Sequence, residues 1–448
     1  MMGRWLAAVF VVAFAAACSS GNDAFTAGRQ NTAAYPDVVS GKYIKHIVVM
    51  VQENRSFDDF FATYPGADGA TFGYTSKGVK VDLVKSPLAA LDINHNWATF
   101  LDECDVQPSG VCKMDGFDKA EYSGHNRCHL CAYEYVDPND IAAYWSIAQN
   151  YVLLDHMFQT QGSGSFTAHQ ALIAGDTRLN ANESLIDFPS HMPWGCDAPR
   201  GTTTSVLTIE QKYLSNGGPF PCLHYRTLRD LLDAAGVSWK YYSPRVGGST
   251  GSIWNAFDAI KAVRYGSEWN TNVSTSDKLI FHDIARHRLA SVSWLVPDLS
   301  NSDHPGKHSD TGPSSAAVLV NAIGESSYWN STAIVIVWDD WGGFYDHEPP
   351  PFRDKAGGLG FRVPMLVISP YARQGYVSHQ QYEFASILKF VEDNWHLGRL
   401  QRSDVRARSI VDCFDFDQQP RPFVPIRSKY SLHYFLLQQP SNEPVDTE

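Results

Sequence analysis

Two apolar runs in this 448-residue chain end abruptly in oxygen donors. His46-Ile47-Val48-Val49-Met50-Val51-Gln52 stops at Glu53-Asn54, and Ala333-Ile334-Val335-Ile336-Val337-Trp338 stops at Asp339-Asp340. Continuous apolar runs of this length read as strands buried on both faces. In an open α/β sheet, ligands bind at the carboxyl edge, where such strands emerge. Glu53 and Asn54 either cap the turn that follows or aim oxygen atoms at a ligand, and hard oxygen donors suit a divalent cation. Asp339 and Asp340 would repel each other at a strand exit unless something positive sits between them, so a metal ion explains them better than solvation does. The paired Gly342-Gly343 behind them lets the backbone turn tightly. A third stretch, Gln161-Gly162-Ser163-Gly164-Ser165, is a small Gly-rich turn ahead of an apolar helical segment. A hydroxyl at a helix N-terminus lies where unpaired N–H groups and the dipole favour an anion. Ser165 is then either an N-cap or a nucleophile activated by metal coordination.

These residues need a scaffold of alternating strands and helices. Strands are predicted at 46–51, 151–156, 237–242, 291–296, 333–338 and 363–368, with Pro364 marking the start of the last. Helical periodicity appears near 139–149, 226–235, 278–289, 313–324 and 380–396. The alternation implies an α/β fold with a mainly parallel central sheet and helices on both faces. Residues 60–135 and 177–225 are rich in Gly, Pro and Asn and read as long insertions around the site.

At its start the chain carries Arg4, a short apolar stretch from Trp5 to Ala17, then Cys18-Ser19-Ser20-Gly21. This is too short for a membrane-spanning helix and has the layout of a secretory signal. It also resembles a bacterial lipoprotein box, with Ala15 where that pattern prefers Leu. The expectation is a signal peptide over 1–17, lipidation at Cys18, a Ser/Gly/Ala/Asn/Thr-rich tether over 18–42, a catalytic domain over 43–425 and a tail over 426–448. The protein would be exported, anchored to a membrane through lipid, or otherwise periplasmic or secreted. Outside the cytoplasm the seven further cysteines read as disulfide staples with one thiol left over, and Cys128-His129-Leu130-Cys131 as a staple in a polar loop more than as a redox pair or zinc knuckle. Loss of the signal's single Arg moves the formal net charge from −12 to −13. With no basic cluster, nucleic acid is not an expected partner.

The motifs carry a resemblance. Glu53-Asn54-Arg55-Ser56-Phe57-Asp58, followed by Tyr64-Pro65-Gly66, resembles the opening signature of the bacterial phosphoesterase family that contains acid phosphatases and phospholipases C, within the alkaline phosphatase superfamily. Ser165-Phe166-Thr167-Ala168-His169-Gln170 and the sequence to Gly175 resemble the family's nucleophile motif, with Ser163, Gly164 and Thr167 replacing its Gly, Pro and Pro. Asp339-Asp340-Trp341-Gly342-Gly343-Phe344-Tyr345-Asp346-His347 resembles its long carboxylate motif, and Cys413-Phe414-Asp415-Phe416-Asp417 its close. The resemblance spans about Lys42 to Phe423. It implies an alkaline-phosphatase-like fold and one divalent metal ion held by Glu53, Asn54, Ser165, Asp339 and Asp340. It also implies Ser165 as nucleophile, and His95 and His304 as partners of the phosphoryl oxygens or donors to the leaving alkoxide. Asn54, His95 and His304 would bind substrate, with His169 and His347 as supporting residues.

The implied reaction is phosphate-ester hydrolysis through a phosphoserine. Ser at position 165, where the phospholipase branch has Thr, resembles the acid phosphatases, and the chain ends soon after the catalytic region, without the further C-terminal domains common in the phospholipases. The expectation is therefore a metal-dependent phosphomonoesterase acting on small phosphorylated substrates, with phospholipase C action on lipid head groups as the alternative. Two rivals stand further off: a serine hydrolase built on Gly247-Gly248-Ser249-Thr250-Gly251, which reads as a loop, and a non-catalytic surface lipoprotein.

Overall fold

The longest strands of the eight-stranded central sheet are apolar runs of the kind that buries on both faces. The computed structural model describes residue 1 and residues 40–123, 126–246, 255–307, 309–351 and 358–441. The signal segment, Cys18, most of the tether, Gly247–Gly251 and residues 442–448 lie outside the described residues. The sheet strands are β1 His46–Gln52, β2 Val152–Leu154, β3 Trp239–Tyr242, β4 Val273–Ser274, β5 Val292–Leu295, β6 Thr332–Trp338, β7 Met365–Ile368 and β8 Tyr376–Ser378. Their spatial order is β4-β3-β5-β1-β6-β7-β2-β8. β1 pairs in parallel with both β5 and β6, while β7 runs antiparallel to β6 and to β2. All the other pairings are parallel, so the sheet is mainly parallel as expected.

Successive strand residues point to opposite faces, and every residue of β6 and all but the first of β1 are buried, so both faces are covered. Helix α1 (Phe57–Phe61) follows β1, α2 (Trp97–Cys104) lies in the first insertion, α3 (Ala142–Asn150) precedes β2, and α4 (Ser165–Ala174) follows it. Further on, α5 (Leu228–Ala235) and α6 (Leu279–Ala285) precede β3 and β5. The helix α7 (Gly312–Gly324) precedes β6, and α8 (Phe384–Trp395) follows β8. α4 packs on α8, and α3 on α7. None of the described helices is long and apolar enough to cross a membrane.

The insertions have their own apolar centre. Trp97, Phe100, Phe117 and Tyr133 pack with Trp341, Phe344 and Tyr345, which directly follow Asp339-Asp340. The carboxylate loop is thereby clamped between the main core and the insertion. Disulfides Cys104–Cys112, Cys128–Cys131 and Cys196–Cys222 staple these loops, and Cys413 is a buried free thiol, as the odd count implied. Residues 426–441 return to the body: Ile426 is buried, and its backbone N–H and carbonyl both bond the Asn321 side chain of α7.

Candidate active site

At the carboxyl edge β1 breaks at Asn54, whose φ of 57° lies in the left-handed region that Asn tolerates. Its N–H donates to Asp339 Oδ1 at 3.1 Å, and Asp339 N–H donates back to the Gln52 carbonyl at 3.0 Å. Gly342 allows this closeness, because a Cβ there would meet the Asn54 carbonyl oxygen at 2.2 Å. Neither Glu53 nor Asn54 caps the turn that follows. That role belongs to Ser56, whose Oγ accepts from Asp59 N–H at 3.1 Å.

Ser165 is not an N-cap either. Gly164 holds that position, and Ser165 is the first residue of α4. Its Oγ is 3.2 Å from Glu53 Oε2 and 3.3 Å from Asp340 Oδ2, so the hydroxyl addresses two carboxylates, each more than 100 residues away in sequence. The turn before it is held by the residues that depart from the family pattern. Ser163 Oγ accepts from Asp187 N–H at 2.8 Å and lies 3.3 Å from Asp187 Oδ1, and Gln159 Nε2 donates to the Ser163 carbonyl at 2.6 Å. Side-chain bonds thus supply the stiffness that a proline would have given.

Glu53, Asp339 and Asp340 are all buried. Burial and the neighbouring Glu53 charge push the Asp339 carboxyl up to about 7. Asp340 Oδ1 is held by Gly342 N–H at 2.9 Å. His169, expected only as support, sits inside this group: its Nε2 is 2.9 Å from Glu53 Oε1 and 3.6 Å from Asp339 Oδ2. Glu53, His169 and Asp339 each offer a donor atom within 4.8 Å of the others. Asp339 Oδ2 accepts no hydrogen bond from the described residues although it is buried. Three buried carboxylates, an amide, a hydroxyl and one imidazole are a donor set that fits a divalent cation. The imidazole adds nitrogen to what read in sequence as an all-oxygen set.

His95 lies beside the cluster. Its Nδ1 is 2.7 Å from the Ile93 carbonyl, which requires a proton on Nδ1 and leaves Nε2 to accept from Asn54 Nδ2 at 2.7 Å. The same Nε2 is 3.8 Å from Asp340 Oδ2. His304 is buried on the segment that flanks β1, where the Ser302 carbonyl accepts from Glu53 N–H at 2.8 Å, and its Nδ1 bonds the Pro305 carbonyl at 2.7 Å.

Sequence reasoning passed over the residues that fix this flank. Asp303 Oδ2 accepts from Tyr144 Oη at 2.6 Å and from Gln52 Nε2 at 3.1 Å, while Arg55 Nε donates to the Asp303 carbonyl at 3.1 Å. Burial pushes the Asp303 carboxyl up to about 7. The available signal was Gln52 itself, a polar residue ending an otherwise apolar strand.

The model of the Phosphoesterase family matches residues 44–398, in agreement with the resemblance carried by the motifs. The non-hemolytic phospholipase C of Pseudomonas aeruginosa is 24% identical over 87% of this chain, which spans 60% of that protein's length. Phospholipase C B of Mycobacterium tuberculosis is 24% identical over 85% of this chain and 80% of its own. Both relatives carry the phospholipase C name. A solved protein in the alkaline phosphatase superfamily from Vibrio parahaemolyticus overlaps 84% of this chain and 74% of its own, at 12% identity and a TM-score of 0.37.

Proposed function

We propose that this chain, which belongs to the Phosphoesterase family, hydrolyses phosphate esters through Ser165 and acts as a phospholipase C-type phosphodiesterase on phosphorylated head groups. The observation that carries the chemistry is the Ser165 hydroxyl, set at the start of a helix and hydrogen-bonded to both Glu53 and Asp340. The names of the relatives favour the diester. A divalent cation held by Glu53, Asn54, Ser165, Asp339 and Asp340, with His169 beside them, would lower the hydroxyl pKa and offset charge on the phosphoryl oxygens.

The chain's own groups do the rest. Ser165 Oγ gives up its proton to a carboxylate that already accepts it and attacks phosphorus in line. The Oγ–P bond forms as the bond to the leaving alkoxide breaks, and the alkoxide takes a proton from His304, or from His95 once its Nε2 is protonated in place of accepting from Asn54. Water then attacks the phosphoserine, releasing the phosphorylated head group and restoring the hydroxyl. The helix N-terminus favours the anionic transition state. A phosphomonoesterase is the second reading, favoured by Ser instead of Thr at position 165.

The test is turnover of p-nitrophenyl phosphorylcholine against p-nitrophenyl phosphate from about pH 5 to 8, spanning histidine titration, in wild type and Ser165→Ala, with and without chelator. Diester turnover that falls by about 10³ or more in Ser165→Ala supports the proposal. Preference for the monoester selects the second reading, and activity that survives in Ser165→Ala refutes both.

We also propose export, with anchoring through Cys18. The three disulfides support an oxidising compartment. Loss of membrane association in Cys18→Ser tests the anchor.

A further inference from the structure

A second group of metal-ligating side chains lies at the same edge of the sheet. β2 and β8 are adjacent and parallel, and they run in the same direction as β1 and β6. Where β1 and β6 end in Glu53 and Asp339, β2 ends in Asp155-His156 and β8 in His379. Ligands gather at this edge because the strand ends open into a crevice there.

His347 Nε2 is 3.3 Å from Asp68 Oδ1, and His156 Nε2 is 3.2 Å from Asp68 Oδ2, so two imidazoles converge on the two oxygens of one partly exposed carboxylate. Asp68, His347 and Glu348 each offer a donor atom within 4.8 Å of the other two. The far side of each ring is fixed by a fully buried carboxylate. His347 Nδ1 is 2.7 Å from Asp58 Oδ2, and His156 Nδ1 is 2.8 Å from Asp155 Oδ1. Asp58 is held in turn by buried Arg362, whose Nη2 is 3.3 Å from Asp58 Oδ1. Asp155 also accepts from His379 Nδ1 at 2.7 Å and from Asp68 N–H at 2.9 Å. A carboxylate behind each Nδ1 is the arrangement that sets tautomer and ring direction in metal-binding histidines, presenting Nε2 as the donor.

We propose that Asp68, His347 and Glu348 form a second divalent-cation site, with His156 Nε2 fixing the second Asp68 oxygen, distinct in every ligand from the Glu53–Asp339 cluster and open enough to exchange its ion with solvent. Mixed imidazole and carboxylate donors suit zinc or a similar borderline cation. The inference does not rest on the proposed hydrolysis, and binding alone reads it.

The full chain, stripped of metal with chelator, is titrated with Zn²⁺ by calorimetry in four forms: wild type, Glu53→Gln/Asp339→Asn, Asp68→Asn/Glu348→Gln, and all four changes together. Wild type is expected to take up two equivalents, each double variant one, and the quadruple variant none, with binding at the second site weakened at least about 10-fold by Asp68→Asn/Glu348→Gln. The last pair is near-isosteric and partly exposed, so its metal-free unfolding midpoint should match wild type. Zn²⁺ should still raise the midpoint of Glu53→Gln/Asp339→Asn. The proposal is overturned if Glu53→Gln/Asp339→Asn binds no Zn²⁺, or if Asp68→Asn/Glu348→Gln binds Zn²⁺ as wild type does.

Discussion

Asp339→Asn should stabilise the metal-free protein at neutral pH and weaken metal binding. Asp339 is fully buried, and its carboxyl titrates near 7 against an ordinary 3.8, chiefly through burial and then through the Glu53 charge. At about 1.4 kcal/mol per pH unit, that gap amounts to about 4 kcal/mol. Because the folded-state pKa is raised, the native protein binds more protons than the unfolded chain between about pH 4 and 7. Wild-type stability therefore falls as pH rises through that window and levels off above it. Asparagine carries no charge to desolvate, its carbonyl can still accept from Asn54 N–H, and its amide can donate toward Glu53. The stability difference between Asp339→Asn and wild type should be near zero at about pH 4, grow by up to about 1.4 kcal/mol per pH unit, and reach up to about 4 kcal/mol above pH 7. Urea unfolding in chelator, at pH 5, 6, 7 and 8, reads this directly. With a saturating divalent cation the order should reverse, since wild type gains binding energy that the variant lacks. A difference independent of pH, or a variant less stable than wild type at pH 8 in chelator, would refute the account of Asp339 as a strained buried carboxylate.

Other expectations follow from contacts around the site. Arg362 is buried, with Nε 2.8 Å from Asp346 Oδ1 and Nη2 3.3 Å from Asp58 Oδ1. Arg362→Met leaves those carboxylates uncompensated and should cost about 3–5 kcal/mol in urea unfolding, whereas a loss under about 1 kcal/mol would mean that water screens them. Ser163→Gly removes the bonds to Asp187 and loosens the turn before Ser165. Turnover number should drop about 10-fold while cation affinity is unchanged, and equal losses in both would point to a wider collapse. Gly343 has φ 76°, and a Cβ there would meet Ile93 Cγ2 at 2.5 Å and the Asn94 carbonyl oxygen at 2.8 Å. Gly343→Ala should cost about 2 kcal/mol or more and impair turnover through the displaced His95, as unfolding and steady-state assays would show.

Much of this protein is legible in its amino-acid sequence. Long apolar runs that end in Glu53-Asn54 and Asp339-Asp340 announce buried strands and their exits, because a strand covered on both faces needs an uninterrupted apolar sequence. A Gly-rich turn ahead of an apolar helix likewise marked Ser165. The odd cysteine count required a free thiol, and Cys413 is that thiol.

Other features depended on the third dimension. The antiparallel course of Met365–Ile368 has no trace in its residues, since a strand buried on both faces reads the same in either direction. The edge strands Val273–Ser274 and Tyr376–Ser378 are too short for a period and exist only through pairing with a neighbour. The hydroxyl of Ser165 could cap its helix or face the carboxylates, and only the approach of β1 and β6 to the start of α4 decided between them. His169 joins Glu53 across 116 residues, and Asp303 joins Gln52 across 251. Local sequence determines which donors stand at a strand end, whereas the packing of distant segments determines which of them share one desolvated space.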